Sequence, residues 1–385
     1  MKLSIIGSRG IPANYGGFEV FTEELSTRLV KKDYEVVVTC ETQTNNRLDC
    51  FKGVKLFHFP YKSPNSYALR KLFEAMTDIY FLAKLAKKSD VIYLLGMTAG
   101  WATAIPYLLN RKVKVVINID GVEWKRDKFN AIEKAFLKVN TRIAEIFCDY
   151  IIVDAQGMRN YIKKQSLKKA VFIPYGVADQ QIYKWDITRV RSLLSRKNLP
   201  NTIQINNYWL VVARLEPENN IHTIVEGFLS SKSHKNLVII GNYTDPNYQR
   251  RVEDMVSKAG GERVLFLGGI YQDEILLNML RQNCFAYIHG HSVGGTNPSL
   301  LEAMSMGSVI VAHSNEFNHE VCEDTAVYFD TADSLKMIVE AIEADPNNYT
   351  HLKKEATDRV KENYSWDDVS EQYNMFFQKI GVIRD

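Results

Sequence analysis

HGHSVGGTNPSLLEAMSMG, residues 289–307, is the stretch that decides the fold of this chain. The apolar run Cys284–His289 leads into it and is typical of a buried strand. Gly294 and Gly295 tolerate tight backbone angles, and Asn297 followed by Pro298 suits the cap and first position of a helix. We therefore predict a strand, a glycine-rich loop and a helix over Ser299–Met306, as in an α/β domain.

The predicted helix separates its core-facing side chains from one acid. Leu300, Ala303 and Met304 share a face that packs on a sheet, while Glu302 lies on a different face, one turn from the helix start. The free N–H groups of a helix start attract a phosphate, and a carboxylate beside them accepts hydrogen bonds from ligand hydroxyls. This pattern indicates a nucleotide-sugar site. The alternative is an ordinary connection without a ligand.

Composition is that of a globular protein with room for two domains. The 385 residues are 46% hydrophobic and 24% charged, and no long uncharged apolar stretch predicts a membrane-spanning helix. The start, MKLSIIG, is typical of a strand rather than a signal peptide. The five cysteines are scattered without a C-x-x-C pair, which favours a reduced, cytoplasmic protein without a disulfide framework or a zinc site.

Alternating strand and helix patterns predict two tandem Rossmann-like α/β domains. The first covers residues 1–175 and includes a helix expected over Gln156–Gln165; Pro174–Val177 begins a linker, and residues 176–364 repeat the pattern. The last segment, residues 365–385, carries apolar residues on a 3–4 spacing and is predicted to be a helix that returns to the first domain. Ligands of open α/β sheets bind beyond the carboxyl ends of the strands, so a cleft between the domains is the expected site.

Three further loops are predicted to face that cleft. Gly16 and Gly17 begin a helix after the first strand, an arrangement that allows a phosphate to approach the backbone. Asp120 follows an apolar strand, where it could orient or deprotonate a hydroxyl, or form a cap or a salt bridge. Asp154 is placed in the same way, with the N-cap as the favoured role and catalysis as the other. Arg214 follows a strand and suits a diphosphate, since no D-x-D motif for a metal ion is present.

The combined motifs resemble a known enzyme family. GSRGIPANYGGFE, IPYGV, ARLEPENN, GGIYQDE and the HGHSVGGTNPSLLEAM block together resemble the GT-B retaining glycosyltransferases of family 4, and the first half resembles the bacterial rhamnosyltransferase branch. The resemblance implies an acceptor-binding first domain and a nucleotide-sugar-binding second domain. It implies that Glu302 contacts the ribose, and that Arg214 and the backbone of Gly295, Thr296 and Asn297 hold the diphosphate. It places Gly16 and Gly17 on the opposite side, Gly268 and Ile270 near the base, and His289 and His291 in the donor site.

Two positions depart from the pattern of the broad family. Gly294 stands where the family has a glutamate that handles the donor sugar, and Asn219 stands where it has a lysine for the diphosphate. A site that has lost polar sugar contacts favours a 6-deoxy sugar. The resemblance therefore implies transfer of L-rhamnose from dTDP-L-rhamnose to a lipid-pyrophosphate-linked sugar, without metal or cofactor. Alternatives are another nucleotide-sugar donor, or an epimerase or phosphorylase on the same architecture.

Charge is distributed unevenly along the chain. Residues 1–175 hold 28 lysines and arginines against 17 acids, a net charge of +11, whereas the whole chain has only +3. Lys and Arg alternate with apolar residues in Arg70–Lys88, Lys125–Lys138 and Tyr161–Phe172, which predicts binding to an anionic membrane at its cytoplasmic face. The alternative is ordinary amphipathic helices with solvated lysines. A nucleic-acid-binding protein is disfavoured, because no helix-turn-helix, RNA-binding or zinc signature accompanies the charge.

Overall fold

The structure is a computed structural model that describes residues 1–13, 16–42, 47–64, 67–96, 100–119, 121–125, 130–179, 181–271 and 273–382. The chain divides into two compact units. Unit 1 comprises residues 1–176 and 366–385, and unit 2 comprises residues 177–365.

Unit 1 is built on an eight-stranded sheet. Its strands are β1 (Lys2–Ile6), β2 (Glu35–Thr42), β3 (Cys50–Phe51), β4 (Val54–Lys62), β5 (Val91–Leu95), β6 (Lys114–Ile119), β7 (Tyr150–Val153) and β8 (Ala170–Phe172). Their order is β3-β4-β2-β1-β5-β6-β7-β8, and every pair is parallel except β3 with β4. Strand β5 is buried along its whole length, as expected for a strand covered on both faces.

The α-helices that the structure describes in unit 1 cover its sheet. They are α1 (Gly17–Val30), α2 (Tyr67–Leu85), α3 (Ala104–Leu109), α4 (Ala131–Phe147) and, from the end of the chain, α13 (Trp366–Val382). Because crossovers between parallel strands are right-handed, α1, which leads from β1 towards one edge, lies on one face. The helices α2, α3 and α4 connect strands in the other direction and lie on the opposite face.

The returning helix α13 completes the core of unit 1. Trp366, Val369, Tyr373 and Phe377 are each at most 3% exposed and pack with residues of β1, β5 and α1. The Tyr373 hydroxyl lies 2.9 Å from that of Tyr93. The apolar spacing noted in the sequence thus corresponds to a helix buried along one side.

Unit 2 is built on a six-stranded parallel sheet. Its strands are β9 (Tyr208–Val212), β10 (Asn236–Ile240), β11 (Val264–Phe266), β12 (Ala286–His289), β13 (Ile310–His313) and β14 (Ala326–Phe329), in the order β11-β10-β9-β12-β13-β14. Its helices are α5 (Ile187–Arg196), α6 (Ile221–Ser230), α7 (Pro246–Lys258), α8 (Glu274–Gln282), α9 (Pro298–Ser305), α10 (Glu316–Cys322), α11 (Ala332–Ala344) and α12 (Thr350–Asn363). The prediction of two Rossmann-like α/β domains is confirmed.

Some local predictions were wrong. The helix predicted over Gln156–Gln165 is instead two 3₁₀ segments, Gln156–Tyr161 and Lys164–Lys169, and only Met158 is buried in the first. A segment that buries so little apolar surface gains too little from packing to hold a longer α-helix. The strand β3 and the helices α5, α11 and α12 were not predicted. In the described residues, no helix has the length and apolarity needed to cross a membrane.

Candidate functional site

The strand order of unit 2 creates a switch point between β9 and β12. The chain leaves these neighbouring strands in opposite directions, so a crevice opens beyond their carboxyl ends, where ligands of open α/β sheets bind. The loop after β9 contains Arg214 and Asn219, and the loop after β12 runs from Gly290 to Asn297. The fold therefore brings together two of the loops identified in the sequence.

The loop after β12 ends in the expected helix cap. Asn297 Oδ1 accepts hydrogen bonds from the backbone N–H of Ser299 at 3.0 Å and from its hydroxyl at 2.9 Å, and Pro298 is the first residue of α9. Leu300, Ala303 and Met304 are fully buried, as the spacing predicted. The helix start thus has the local geometry that the sequence indicated.

Asn219 links the two loops. Its Nδ2 donates to the carbonyl oxygen of Arg214 at 2.7 Å, so its Oδ1 is the acceptor for His291 Nδ1, which lies 2.8 Å away. The backbone N–H of Ser292 donates to the carbonyl oxygen of Glu218 at 2.9 Å. Asn219 is 5% exposed, so the residue that replaces the family's lysine acts here as a buried connector.

The start of helix α10 fixes His291 from the other side. The side-chain amides of Asn315 and Asn318 donate to the carbonyl oxygen of His291 at 3.0 and 2.9 Å. At Gly290, an added Cβ would lie 2.1 Å from the carbonyl oxygen of Asn219, so the two loops approach closer than any other residue there would permit. The segment Gly290–Ser292 is therefore held rigidly.

Glu302 forms an ion pair with Arg281 of α8. The Arg281 side chain is 4% exposed and donates to Asn278 Oδ1 at 2.9 Å, whereas the Glu302 side chain is 33% exposed. Burial raises the pKa of the Glu302 carboxyl, and the Arg281 guanidinium lowers it in part. Arg281 was missed in the sequence, although an arginine among the apolar residues of α8 was a signal that it is buried beside an acid.

Arg214 presents a partly free guanidinium at the same edge. Its side chain is 56% exposed, and its Nη1 lies 3.7 Å from a carboxylate oxygen of Glu216. Glu216 is 3% exposed and accepts a hydrogen bond from the Thr244 hydroxyl at 3.1 Å. A guanidinium in this setting keeps donors available for a ligand with two acceptor oxygens.

His289 ends β12 at the centre of the crevice. It is 2% exposed, and its Nε2 has no hydrogen-bond partner among the described residues. Burial holds its pKa well below the usual value, with the nearby His291 and His313 acting in the same direction, so the ring is neutral. An unpaired polar atom at this depth is unusual in a folded protein.

Gly268 and Ile270 follow β11, further along the same edge. Gly268 has a φ of +68°, and Gly269 donates its N–H to Asn242 Oδ1 at 2.9 Å. A Cβ at Gly268 would lie 3.1 Å from Lys197 Nζ, so this exposed lysine, which the sequence did not single out, reaches the loop. Ile270 is half-buried and precedes Tyr271, whose side chain is 57% exposed.

In unit 1, Gly16 and Gly17 begin α1. Gly16 has a φ of +92°, and no side chain caps this helix start. Two carboxylates of α1 hold the preceding loop: Glu19 accepts from the N–H of Arg9 at 3.0 Å, and Glu23 accepts from that of Ala13 at 2.8 Å. The helix start at Gly16 thus has no side-chain cap, and the Glu19 carboxylate lies beside it, 2.3 Å from where a Cβ on Gly16 would be.

The two aspartates of unit 1 have different outcomes. Asp120 lies outside the described residues. Asp154 follows β7 and is 8% exposed, and the N-cap position of the next helical segment is Ala155, so the roles predicted for Asp154 stay predictions. Burial raises the pKa of the nearby Tyr373 phenol well above its ordinary value, and Tyr93 and Asp154 act in the same direction. Among the described residues, no group of three or more His, Cys, Asp or Glu could hold a metal ion.

Comparison with family models divides the chain at a similar point. Residues 195–359 match the family described as glycosyl transferases group 1, and residues 1–178 match a domain of unknown function, DUF1972. The O-antigen chain mannosyltransferase RfbU of Salmonella typhimurium is 25% identical over 207 residues, which are 49% of this chain and 57% of that protein. The match thus spans little more than half of the curated relative.

Solved structures show the same architecture. Sucrose-phosphate synthase from Thermosynechococcus elongatus superposes with a TM-score of 0.79 at 18% identity, covering 98% of both chains. HepE of Anabaena in complex with UDP-glucose gives a TM-score of 0.73 at 16% identity, covering 98% of this chain and all of the other. The chain therefore has the GT-B fold, and residues 195–359 within unit 2 match the family model of glycosyl transferases group 1. The donor sugar stays a prediction.

Proposed function

We propose that the protein transfers L-rhamnose from dTDP-L-rhamnose to a lipid-pyrophosphate-linked sugar, with retention of configuration, during synthesis of a bacterial cell-surface polysaccharide. The observation that carries this proposal is the edge of the unit 2 sheet, where the half-exposed Arg214 and the Arg281-paired Glu302 flank the capped start of α9. The Arg214 guanidinium and the helix start suit a diphosphate, and the Glu302 carboxylate suits the deoxyribose hydroxyl.

The roles of the residues follow from their chemistry. Arg214 and the backbone of Gly295, Thr296 and Asn297 bind the diphosphate, while Glu302, positioned by its ion pair with Arg281, accepts a hydrogen bond from the deoxyribose hydroxyl. His289 offers its neutral ring to the donor, and His291 fixes the loop. Gly268 and Ile270 border the base. In unit 1, Gly16 and Gly17 serve as a further phosphate contact, and Asp120 orients the acceptor hydroxyl; Asp154 is kept as a second candidate acid for that role.

The reaction needs positioning and charge stabilisation more than a nucleophile. As the bond between the sugar and the diphosphate breaks, the departing phosphate oxygen takes the proton of the acceptor hydroxyl, which attacks the same face of the sugar. Arg214 and the helix N–H groups stabilise the negative charge that develops on the leaving diphosphate. No metal ion or cofactor is needed for this assignment.

Gly294 supports the choice of a 6-deoxy sugar. It occupies the position of the family's sugar-binding glutamate, is buried, and has a φ of +129°, a conformation that side-chain-bearing residues rarely adopt. A glutamate at this position would therefore have a strained backbone conformation. A sugar with fewer hydroxyls to satisfy suits such a site. The second candidate is a mannose donor, favoured by the name of the Salmonella relative.

The deciding experiment offers the enzyme a panel of nucleotide sugars with a lipid-pyrophosphate-linked monosaccharide. We expect a product heavier by one deoxyhexose with dTDP-L-rhamnose, and NMR of the new linkage should give the anomeric configuration of the donor. A product with a nucleotide-linked mannose alone would overturn the donor assignment. Turnover of the donor without any saccharide product would overturn the transferase.

A further inference from the structure

Helix α4 of unit 1 is oriented with its apolar side outward. Its buried residues are Asn140, Thr141, Ala144 and Glu145, whereas Ile132, Phe136, Val139 and Ile146 are 57 to 82% exposed. These four lie at spacings of four, three and seven, so they form one stripe along the helix. A surface helix normally turns such a stripe towards the core, so this face of α4 lacks its usual partner.

The polar side of α4 is fixed by specific contacts. Asn140 Oδ1 accepts the N–H of Trp101 at 2.7 Å, and a Cβ at Gly100 would lie 2.9 Å from the carbonyl oxygen of Asn140. At the start of the helix, Asn130 and Glu133 form a reciprocal capping box. The inverted orientation is therefore enforced by hydrogen bonds and close packing.

Neighbouring helices extend the exposed apolar surface. The Tyr107 ring of α3 contacts Phe147 of α4 with centroids 5.5 Å apart, and Leu108 beside it is 75% exposed. On α2, which lies next to α3, Leu69, Leu72 and Met76 are 53 to 59% exposed. We call these outward residues of α2, α3 and α4 the apolar face. Single exposed apolar residues need no explanation, but exposed apolar residues gathered on three neighbouring helices mark an interaction site.

Basic residues surround the apolar face. Arg111 and Lys112 after α3, Lys138 on α4, and Lys84, Lys87 and Lys88 at the end of α2 are exposed. Of the acids on α2 and α4, Glu145 is buried against Arg142, Glu133 accepts a hydrogen bond in its helix cap, and burial together with the nearby Glu74 raises the pKa of Asp78 to about 8. Residues 91–119 contain no acid at all. We call these exposed lysines and arginines the basic rim, and their charge complements a negatively charged surface.

We propose that the apolar face binds a membrane rich in anionic lipid, with α4 lying in the headgroup layer. Its stripe of Ile132, Phe136, Val139 and Ile146 enters the apolar boundary while the basic rim meets lipid phosphates. A second copy of the chain fits this face less well, because a twofold contact would bring two positive rims together. The structure also revises the sequence prediction: in Tyr161–Phe172, Ile162 is 6% exposed and no apolar residue is exposed, so that segment does not insert.

This binding rests on the geometry of unit 1 and is independent of the donor sugar. The test is sedimentation of the full chain with phosphatidylcholine vesicles containing 0, 20 or 40% phosphatidylglycerol, where binding should rise with phosphatidylglycerol and fall with added salt. The double variant Ile132→Ser, Phe136→Ser should lower the partition coefficient at least about 10-fold. The matched control, Ile182→Ser with Met337→Ser, removes two equally exposed apolar residues of unit 2 and should leave it unchanged.

Each other outcome overturns the proposal. Wild-type protein that stays in the supernatant with 40% phosphatidylglycerol at low salt excludes membrane binding. An equal loss of vesicle binding in the α4 double variant and in the control double variant excludes α4 as the membrane-binding helix. A dimer that the α4 variant dissociates, without vesicle binding, identifies a second copy as the occupant. Transfer to a short-chain, water-soluble acceptor should be unaffected by the α4 variant, so failure of the proposed reaction is distinguishable from failure of docking.

Discussion

The two sheets have the same strand order around β1 and β9, but the loops at their switch points are built differently. In unit 2, side chains such as Asn219, Asn315 and Asn318 lock the loop after β12 from both sides, and Arg214 and Glu302 supply opposite charges. In unit 1, the loop after β1 has the place that the loop after β9 has in unit 2, and the carboxylates of Glu19 and Glu23 on the following helix accept backbone N–H groups of that loop. One topology thus carries two loops joined by side-chain amides in one unit and a loop held by its own helix in the other. Topology gives the location of a site, and the loops give its chemistry.

The units also differ in what completes their cores. Unit 1 needs a helix from the far end of the chain, whereas unit 2 is continuous in sequence. Trp366, 3% exposed, packs on Phe21 and Tyr175 with ring centroids 5.7 and 5.3 Å away.

The largest expected effect is therefore that of Trp366→Ala. The cavity should destabilise unit 1 by about 3–5 kcal/mol, measured as lost hydrogen-exchange protection in β1 and β5 while β9 and β12 keep theirs. Met375→Ala, an exposed change on the same helix, should cost less than about 0.5 kcal/mol. Undiminished protection in β1 would mean that α13 is dispensable for this core.

Single substitutions in the charged site of unit 2 should stop transfer while the protein stays folded. We expect Glu302→Gln and Arg214→Ala each to lower kcat/KM for transfer at least about 100-fold, close to 3 kcal/mol, because each removes a charged group that the nucleotide contacts. Circular dichroism should be unchanged. Arg250→Ala, at an exposed arginine of α7, is the control and should remain active. Near-normal turnover in either site variant, with unchanged donor affinity, would contradict the assignment of that residue to the donor site.

Substitution of Asn219 tests whether this position merely lacks the family's lysine or whether the asparagine has a role of its own. If the position merely lacks the family's lysine, Asn219→Lys should improve transfer. We expect the opposite: losing the hydrogen bonds to Arg214 and His291 should destabilise unit 2 by about 1–2 kcal/mol and reduce transfer. Thermal melting and initial rates decide between these results, with the exposed Asn247→Lys as the control for added charge. Faster transfer at unchanged stability would contradict the connector role.

The smallest expected effect is that of chelation. Because Arg214 and helix N–H groups suffice to stabilise the leaving diphosphate, initial rates in EDTA should equal those in untreated enzyme. Activity that disappears on chelation and returns with magnesium or manganese would require a metal site that the proposal lacks.

Local sequence determined much of the architecture. The cap formed by Asn297 and Pro298, the buried side of α9 and the apolar strands each depend on residues a few positions apart, so their patterns predicted them. Where the local signal was weak, prediction failed: the segment 156–165 buries too few apolar residues to be an α-helix, and the two-residue strand β3 is too short to leave a pattern.

Tertiary structure alone decided the remaining features, because they depend on residues far apart in the chain. The sequence showed Glu302 but not that Arg281, one helix and one strand earlier, would neutralise it, and it showed Asn219 only as a departure from a pattern. The apolar stripe of α4 was equally visible in the sequence. A helical period, however, states only that apolar residues share a face, and whether that face turns inward depends on which side finds hydrogen bonds and close packing with its neighbours. In α4 the polar side found them, through Asn140 and Gly100, and the apolar side was left to the solvent.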